Sequence, residues 1–415
     1  MQAKLHVSDC NAFQFWPILK GLPVFIGYTE DQEKLRQELR AYYRELLTPE
    51  VEADLGKEHG VGPVTRRIFK QMASDGWVGI GWPKEYGGQG KSQLEQFVFF
   101  DESMRCGAPV PMLTINTVGP TIMQFGTDEQ KNDYLPRILR GEIMFCVGYS
   151  EPGAGTDLAS LQTRAVRDGD EYVINGQKTF TSLSSDADYV WLAARTDPDV
   201  SKHKGISIII VPRETPGFSY QPMHLLSEHD INQTYYDDVR VPVTNCVGGE
   251  NNGWGLITNQ LNHERVTLCS SGIPDSMLAD VRRWAQQTKL ANGQRVIDQE
   301  WVQMNLARVY ARLEFLKLIN WKVAWSASSG EGLNIADASS IKVFGTEFYL
   351  EAFRHMFEIL GEASYLTQDS PDAVLKARLE RYYRSLLILT FGGGVNEVQR
   401  DLIAMFGLGM PRSLR

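Results

Sequence analysis

Four short stretches of the 415-residue chain combine side chains able to do chemistry. Glu264 stands in GWGLITNQLNHERVTL, where Ile257, Leu261, Glu264 and Leu268 recur at helical spacing, so the carboxylate falls on the apolar stripe of its own helix. A carboxylate there is either a buried ion pair or boundary group, or a general base whose pKa burial raises toward the range where it takes a proton. YSEPGAGTDL, 149–158, follows the apolar run IMFCVG. Ser150, Thr156 and the amides of its glycine-rich turn can bind a flat heterocycle or a pyrophosphate, or can simply link two domains. In NGQKTFTS, 175–182, Phe180 adjoins Thr181 and Ser182, which suits the edge of an isoalloxazine and equally an ordinary sandwich core. FGGGVNEVQR, 391–400, sets three glycines before Glu397 and reads as a phosphate cradle, an active-site loop or a helix-to-helix turn.

Other motifs fail on inspection. GGQGKS, 87–92, ends like a Walker A loop, but the required first glycine falls on Glu85. HERVT has Thr267 where a zinc-binding HExxH needs its second histidine. GAGTDL from Gly153 and GGVNEV from Gly393 each lack a glycine of the dinucleotide fingerprint. Seven scattered histidines suggest no metal site. With 42 Lys and Arg against 51 Asp and Glu, a net charge of -9, the chain has no basic tract for nucleic acid. Five cysteines, at 10, 106, 146, 246 and 269, are odd in number and never in a CxxC pair, which argues for reduced thiols and a cytoplasmic setting. Apolar runs such as ISIIIV fall far short of the roughly 20 residues of a membrane span.

The positioning elements change along the chain. Residues 1–27 read as an extension of uncertain order, interrupted by Asn11, Gln14, Pro17 and Lys20, and not as a signal peptide. TEDQ from Thr29 and TDEQ from Thr127 are capping boxes, and residues 28–141 form a helical domain. In 142–248, Asn175-Gly176 signals a hairpin between two strands, and DYVWLAART, GISIIIVPR and YYDDVRVP supply further strands of a small antiparallel β domain. In 249–415, Val302, Leu306, Val309, Leu313 and Leu316 mark a long helix over 298 to about 326 in a four-helix bundle.

DGWVGIGWPKEYGG, GTDEQKNDYLP, GYSEPGAGTDL, NGQKTFTS, GENNGW and NEVQR, in that order, resemble the acyl-CoA dehydrogenase family from about residue 28 onward. The resemblance implies an α+β fold: an N-terminal helical domain, a middle antiparallel β domain and a C-terminal four-helix bundle, with FAD where the last two meet. Tyr149, Ser150, Gly155 and Thr156 match the flavin and thioester strip, and Phe180, Thr181 and Ser182 the segment against the flavin ring, with Phe180 where Trp is usual. The implied reaction is α,β-dehydrogenation of an acyl-CoA, a carboxylate taking the Cα proton while hydride passes from Cβ to flavin N5. The place of the loop base in many relatives falls on Gly393, whereas LNHER matches the helix base of others and points to Glu264. Thr156, Asn262, Arg265 and Gly393 are the implied substrate contacts, and an electron-transferring flavoprotein the implied acceptor.

Two departures bear on assembly. KLANGQR lacks the Arg-x-x-Phe pair, and GEAS keeps Gly361 but has Glu362 and Ser364 where relatives have glycine beside a pyrophosphate. The expectation is an α2β2 complex with a sister subunit. NQLNHERV with FGGGVNEVQRDLIA is most similar to the actinobacterial subset acting on steroid side-chain acyl-CoA thioesters. The rival readings are a flavin monooxygenase or acyl-CoA oxidase on the same fold, and a non-catalytic subunit.

Overall fold

The computed structural model describes residues 27–58, 61–227, 230–328 and 334–412. The side chains of 230 and 262–268 are outside the description, as is the extension over 1–26 with Cys10.

Helices come first: α1 Glu30–Leu46, α2 Pro49–Leu55, α3 Pro63–Ser74, α4 Gln93–Cys106, α5 Gly119–Phe125 and α6 Asp128–Leu139. Both expected capping boxes form. Thr29 and Gln32 exchange side-chain and backbone bonds at 3.0 and 3.3 Å, and Thr127 and Gln130 do so at 3.1 and 3.2 Å, satisfying amides that a helix start leaves unpaired. A third box, Ser92 with Glu95, opens α4.

The strands are β1 Phe145–Gly148, β2 Arg164–Asp168, β3 Glu171–Ser182, β4 Tyr189–Arg195, β5 Ile206–Pro212, β6 Phe218–His224, β7 Asp230–Pro242 and β8 Cys246–Val247. They join one sheet, in the order β6-β7-β3-β2-β4-β5-β8 with β1 beside β4. Pairing is antiparallel except where β1 and β2 meet β4 in parallel, so the sheet is mixed. The hairpin expected at Asn175-Gly176 does not form. β3 runs unbroken through both residues, and the turn lies at Gly169 (φ 62°) between β2 and β3. Gly176 instead faces a bulge in β7, where Asp237 and Asp238 (φ 51°) oppose the single residue Asn175 and the register shifts, and a Cβ on Gly176 would come within 2.7 Å of Thr163 Cα. Asn175 spends its amide on Asp238, donating to the carboxylate at 2.9 Å and accepting from its N–H at 3.0 Å.

Both faces of the sheet centre are buried. Trp191, Ala193, Ile206, Ile208 and Ile210 join the core of the N-terminal helices, while Val190, Leu192, Ala194, Ile209 and Val211 fill a second core. The continuous run ISIIIV therefore has no polar face to alternate with.

The C-terminal helices are α7 Gly253–Leu268, α8 Gly272–Gln287, α9 Glu300–Ser328, α10 Ile335–Leu360, α11 Arg378–Leu386 and α12 Asn396–Leu402. Val302, Leu306, Val309, Leu313 and Leu316 are all buried in a third core built on α8, α9 and α10. The first turn of α7 lies on β5, where a Cβ on Gly253 would sit 2.8 Å from the Ile206 carbonyl. Leu256 and Ile257 of α7 then enter the core shared by sheet and N-terminal helices. Among the described residues, no helix is long and apolar enough to cross a membrane.

Candidate active site

The strip after β1 turns sharply. Glu151 N–H donates to Ala154 O at 3.0 Å and Ala154 N–H to Glu151 O at 3.1 Å, so Pro152 and Gly153 form the tip. Gly155 and Thr156 beyond it are exposed, and a Cβ on Gly153 or Gly155 would meet nothing within 4 Å. β3 runs alongside, with Thr179 N–H donating to Ser150 O at 2.8 Å.

A second bulge interrupts β3 at Phe180. Its pairing with β7 skips from Lys178 to Thr181, and Phe180 adopts φ 58° while remaining 62% exposed. Left-handed backbone at a bulky residue costs on the order of 1–3 kcal/mol. Here the bulge turns an aromatic ring outward next to an open glycine turn. Of the two neighbouring hydroxyls, Thr181 is buried, 3.4 Å from Thr234 Oγ1, and turned into the sheet; Ser182 is half-buried. Phe180, Ser182 and the strip amides are therefore the groups placed to meet a planar ring with a phosphate tail.

A buried ion pair stands beneath this surface. Lys178 Nζ donates to Glu151 Oε1 at 2.8 Å and to the Tyr149 carbonyl at 3.0 Å. Glu151 also accepts from the amides of Gln162 (2.6 Å) and Thr163 (2.8 Å). Burial works to raise the Glu151 pKa, but Lys178 and these hydrogen bonds outweigh it and hold the carboxyl below its usual range. Burial likewise pulls Lys178 down, against the opposing charge of Glu151.

The Tyr149 side chain points the other way, into the core under α7. Its hydroxyl donates to Gln260 Oε1 at 2.5 Å, and Trp191 Nε1 of β4 donates to the same oxygen at 3.0 Å. Glu264 stands one helical turn beyond Gln260 on α7, although its side chain, with those of Asn262 and Arg265, lies outside the described residues.

The glycine loop is tied to α10, which packs against both α7 and α12. Fully buried Lys342 donates to Thr390 O at 2.9 Å and to Asn396 Oδ1 at 2.7 Å, clamping the two sides of the loop. Gly393 and Gly394 between them adopt φ of 68° and 94°, which glycine reaches without strain. Thus Tyr149, Ser150 and the Phe180 strand meet directly, and the helix bearing Glu264 is bonded to the same strip.

Sequence reasoning passed over Gln260, Trp191, Glu151 and Lys178. Gln260 lies three residues after Ile257, a polar group on an apolar face. Lys178 similarly falls on the inward side of β3 with Tyr172 and Ile174.

Comparison with known proteins gives a consistent result. Residues 29–142 match the acyl-CoA dehydrogenase N-terminal domain, 146–239 the middle domain and 251–408 the C-terminal domain. Acyl-CoA dehydrogenase FadE26 of Mycobacterium tuberculosis is 58% identical over 398 residues, covering 94% of this chain and 100% of that protein. A chain of the ChsE4-ChsE5 complex from Mycobacterium tuberculosis superposes with a TM-score of 0.88 at 58% identity, over 94% of this chain and 100% of its own length. A chain of the Tcur3481-Tcur3483 steroid ACAD gives 0.88 at 52% identity, over 93% and 99%.

Proposed function

The chain belongs to the acyl-CoA dehydrogenase family, and from that premise we propose that it dehydrogenates a bulky, steroid-type acyl-CoA at Cα–Cβ with Glu264 as base and FAD as cofactor. The carrying observation is the Tyr149–Gln260 bond of 2.5 Å, which joins the helix of Glu264 to the strip beside Phe180. The residues fit FAD: Phe180 offers a ring face at a strained bulge, and the exposed Gly155 and Thr156 beside the open Gly153 leave room for a phosphate tail. When bound, FAD supplies the acceptor for the hydride that leaves Cβ.

The chain's own residues do the rest. Glu264 takes the Cα proton, and the resulting negative charge on the thioester oxygen calls for hydrogen-bond donors, for which the exposed amides around Gly155 and Thr156 are the candidates. The buried Lys178–Glu151 pair keeps the strip in register with β3, so that Ser150 and Phe180 move as one unit. With Gly393 in place of a loop carboxylate, the role of base falls to Glu264 and the loop adds no side chain at that point. The relative described as a steroid ACAD supports the substrate class, and the one described as a ChsE4-ChsE5 complex supports pairing with a second kind of subunit.

The same reading makes the chain one half of an α2β2 complex that passes electrons to an electron-transferring flavoprotein. Glu362 is exposed at the turn after α10, where a carboxylate repels a pyrophosphate. The outer side of α9 carries Trp301, Met304, Phe315, Leu318 and Trp325, each about half exposed, an apolar row suited to burial against another subunit.

The experiment is flavin reduction by the co-expressed complex, comparing a steroid side-chain CoA thioester with straight-chain acyl-CoAs. Faster bleaching with the steroid thioester supports the substrate class; a preference for straight chains overturns it. Purified alone, the chain should carry substoichiometric FAD, and a fully loaded, stable homotetramer would sink the heteromer.

A further inference from the structure

Ser370, Pro371 and Asp372 read as a helix start, with a hydroxyl for the cap and proline at the first helical position. Good helix formers follow, and Leu375, Leu379, Tyr382 and Leu386 recur at spacings of 4, 3 and 4, so the sequence encodes one helix from Pro371 to Leu386. The structure begins that helix, with Ala373 N–H donating to Ser370 O at 3.1 Å and Asp372 N–H to Ser370 Oγ at 3.4 Å. It then breaks at Leu375, Lys376 and Ala377, whose φ angles are 52°, 55° and 52°, and α11 opens only at Arg378. Three successive left-handed residues, none of them Gly, Asn or Asp, are strained. The anchors of this strained turn are slight. Lys376 Nζ meets Glu52 of α2 at 2.9 Å with both side chains well exposed, Gln368 Nε2 donates to Gly56 O at 3.3 Å, and Val374 and Leu375 are only partly buried.

We propose that Val374–Ala377 is an assembly switch, left-handed in the free chain and rewound into a right-handed turn continuous with α11 when the sister subunit docks. This rests on the reading of the chain as one half of an α2β2 complex. The segment packs against the Gly361–Tyr365 turn, where Tyr365 is 73% exposed. Tyr365 stacks on Phe357 with ring centroids 5.7 Å apart, and Phe357 meets Tyr383 of α11 edge-on at 5.1 Å. Asn305 Nδ2 donates to Glu358 Oε2 at 2.8 Å and sets the start of α9 beside this turn, so Tyr365 continues the apolar row of Trp301 and Met304. In a continuous helix Lys376 shares a face with Tyr383, seven positions on. The sister subunit therefore meets a cation at this end only in the rewound form, and that difference in contact is what shifts the equilibrium.

The test mixes the full chain with the separately purified sister subunit and follows three quantities: amide hydrogen exchange over 375–381, the dissociation constant by sedimentation, and the thermal midpoint of the chain alone. Wild-type amides over 375–381 should exchange more slowly on assembly, as they gain the carbonyl partners of a helix. Two variants should then move the two states in opposite directions. Ala377→Gly suits left-handed backbone and weakens a helix interior, so the chain alone should melt at a higher temperature while the dissociation constant rises about fivefold. Glu52→Gln releases Lys376, so the chain alone should melt slightly lower and the complex hold at least as tightly. A general loss of folding would lower stability and affinity together and give no such crossing. Equal exchange over 375–381 in the free and assembled chain, or an unchanged dissociation constant in Ala377→Gly, overturns the proposal. A wild-type chain that does not bind the sister subunit removes the α2β2 reading instead, and this proposal with it.

Discussion

Lys178 and Glu151 form an ion pair of 2.8 Å in which the lysine side chain is wholly enclosed. Neither charge can be rehydrated without opening the corner where β1, β3 and the glycine turn meet. The pair thus fixes the strip on one side while Gln260 fixes it on the other.

Removing one partner should be severe. Lys178→Met leaves a buried carboxylate uncompensated, and the unfolding free energy should fall by about 3–5 kcal/mol at neutral pH. The pH dependence should change sign. In the wild type the Glu151 pKa is depressed, so its contribution is complete above the usual 4.5 and is lost as pH falls through the lower folded value. In the variant, burial without the lysine raises that pKa, so acidification restores part of the loss. Denaturant titrations of the variant and wild type from neutral pH downward measure both slopes.

Two glycines should respond oppositely to alanine. At Gly176 the new Cβ would lie 2.5 Å from Thr163 Oγ1 and 2.7 Å from Thr163 Cα, so Gly176→Ala should destabilise by about 1–3 kcal/mol. At Gly155 nothing lies within 4 Å, so the unfolding free energy should hold within about 0.5 kcal/mol. FAD affinity should nonetheless drop in Gly155→Ala, since the methyl group occupies the space assigned to the cofactor. Thermal melts and FAD titrations separate the two effects.

The apolar row on α9 predicts an assembly defect without a folding defect. Trp301→Glu together with Trp325→Glu places charges on an outer face and leaves Val302, Val309 and Leu316 in the core untouched. Sedimentation velocity should show the co-expressed complex dissociating while circular dichroism keeps its helical signal. Intact complexes would mean that another face carries the contact.

Local patterns carried much of the fold. Thr29 with Gln32 and Thr127 with Gln130 were legible because a capping box is closed within four residues, and α9 because its stripe repeats over many turns. Asn175-Gly176 misled because its hairpin preference lost to pairing of the whole of β3 with β7, and to the turn available at Gly169. Of the candidate site, the exposed parts, the glycine turn and Phe180, stand out in the sequence as local patterns. Its supports do not: Gln260 finds Tyr149 across 111 positions, and Lys178 finds Glu151 across 27, separations at which residue spacing holds no signal.

The central claim is that Glu264 takes the α-proton. Its most direct measurement is rapid-mixing reduction of bound FAD by a steroid side-chain CoA thioester in the complex carrying Glu264→Gln. Loss of a general base predicts a fall of about 10²–10⁴-fold in the rate of flavin bleaching, with FAD content and thioester binding retained. Bleaching at the wild-type rate would contradict the account.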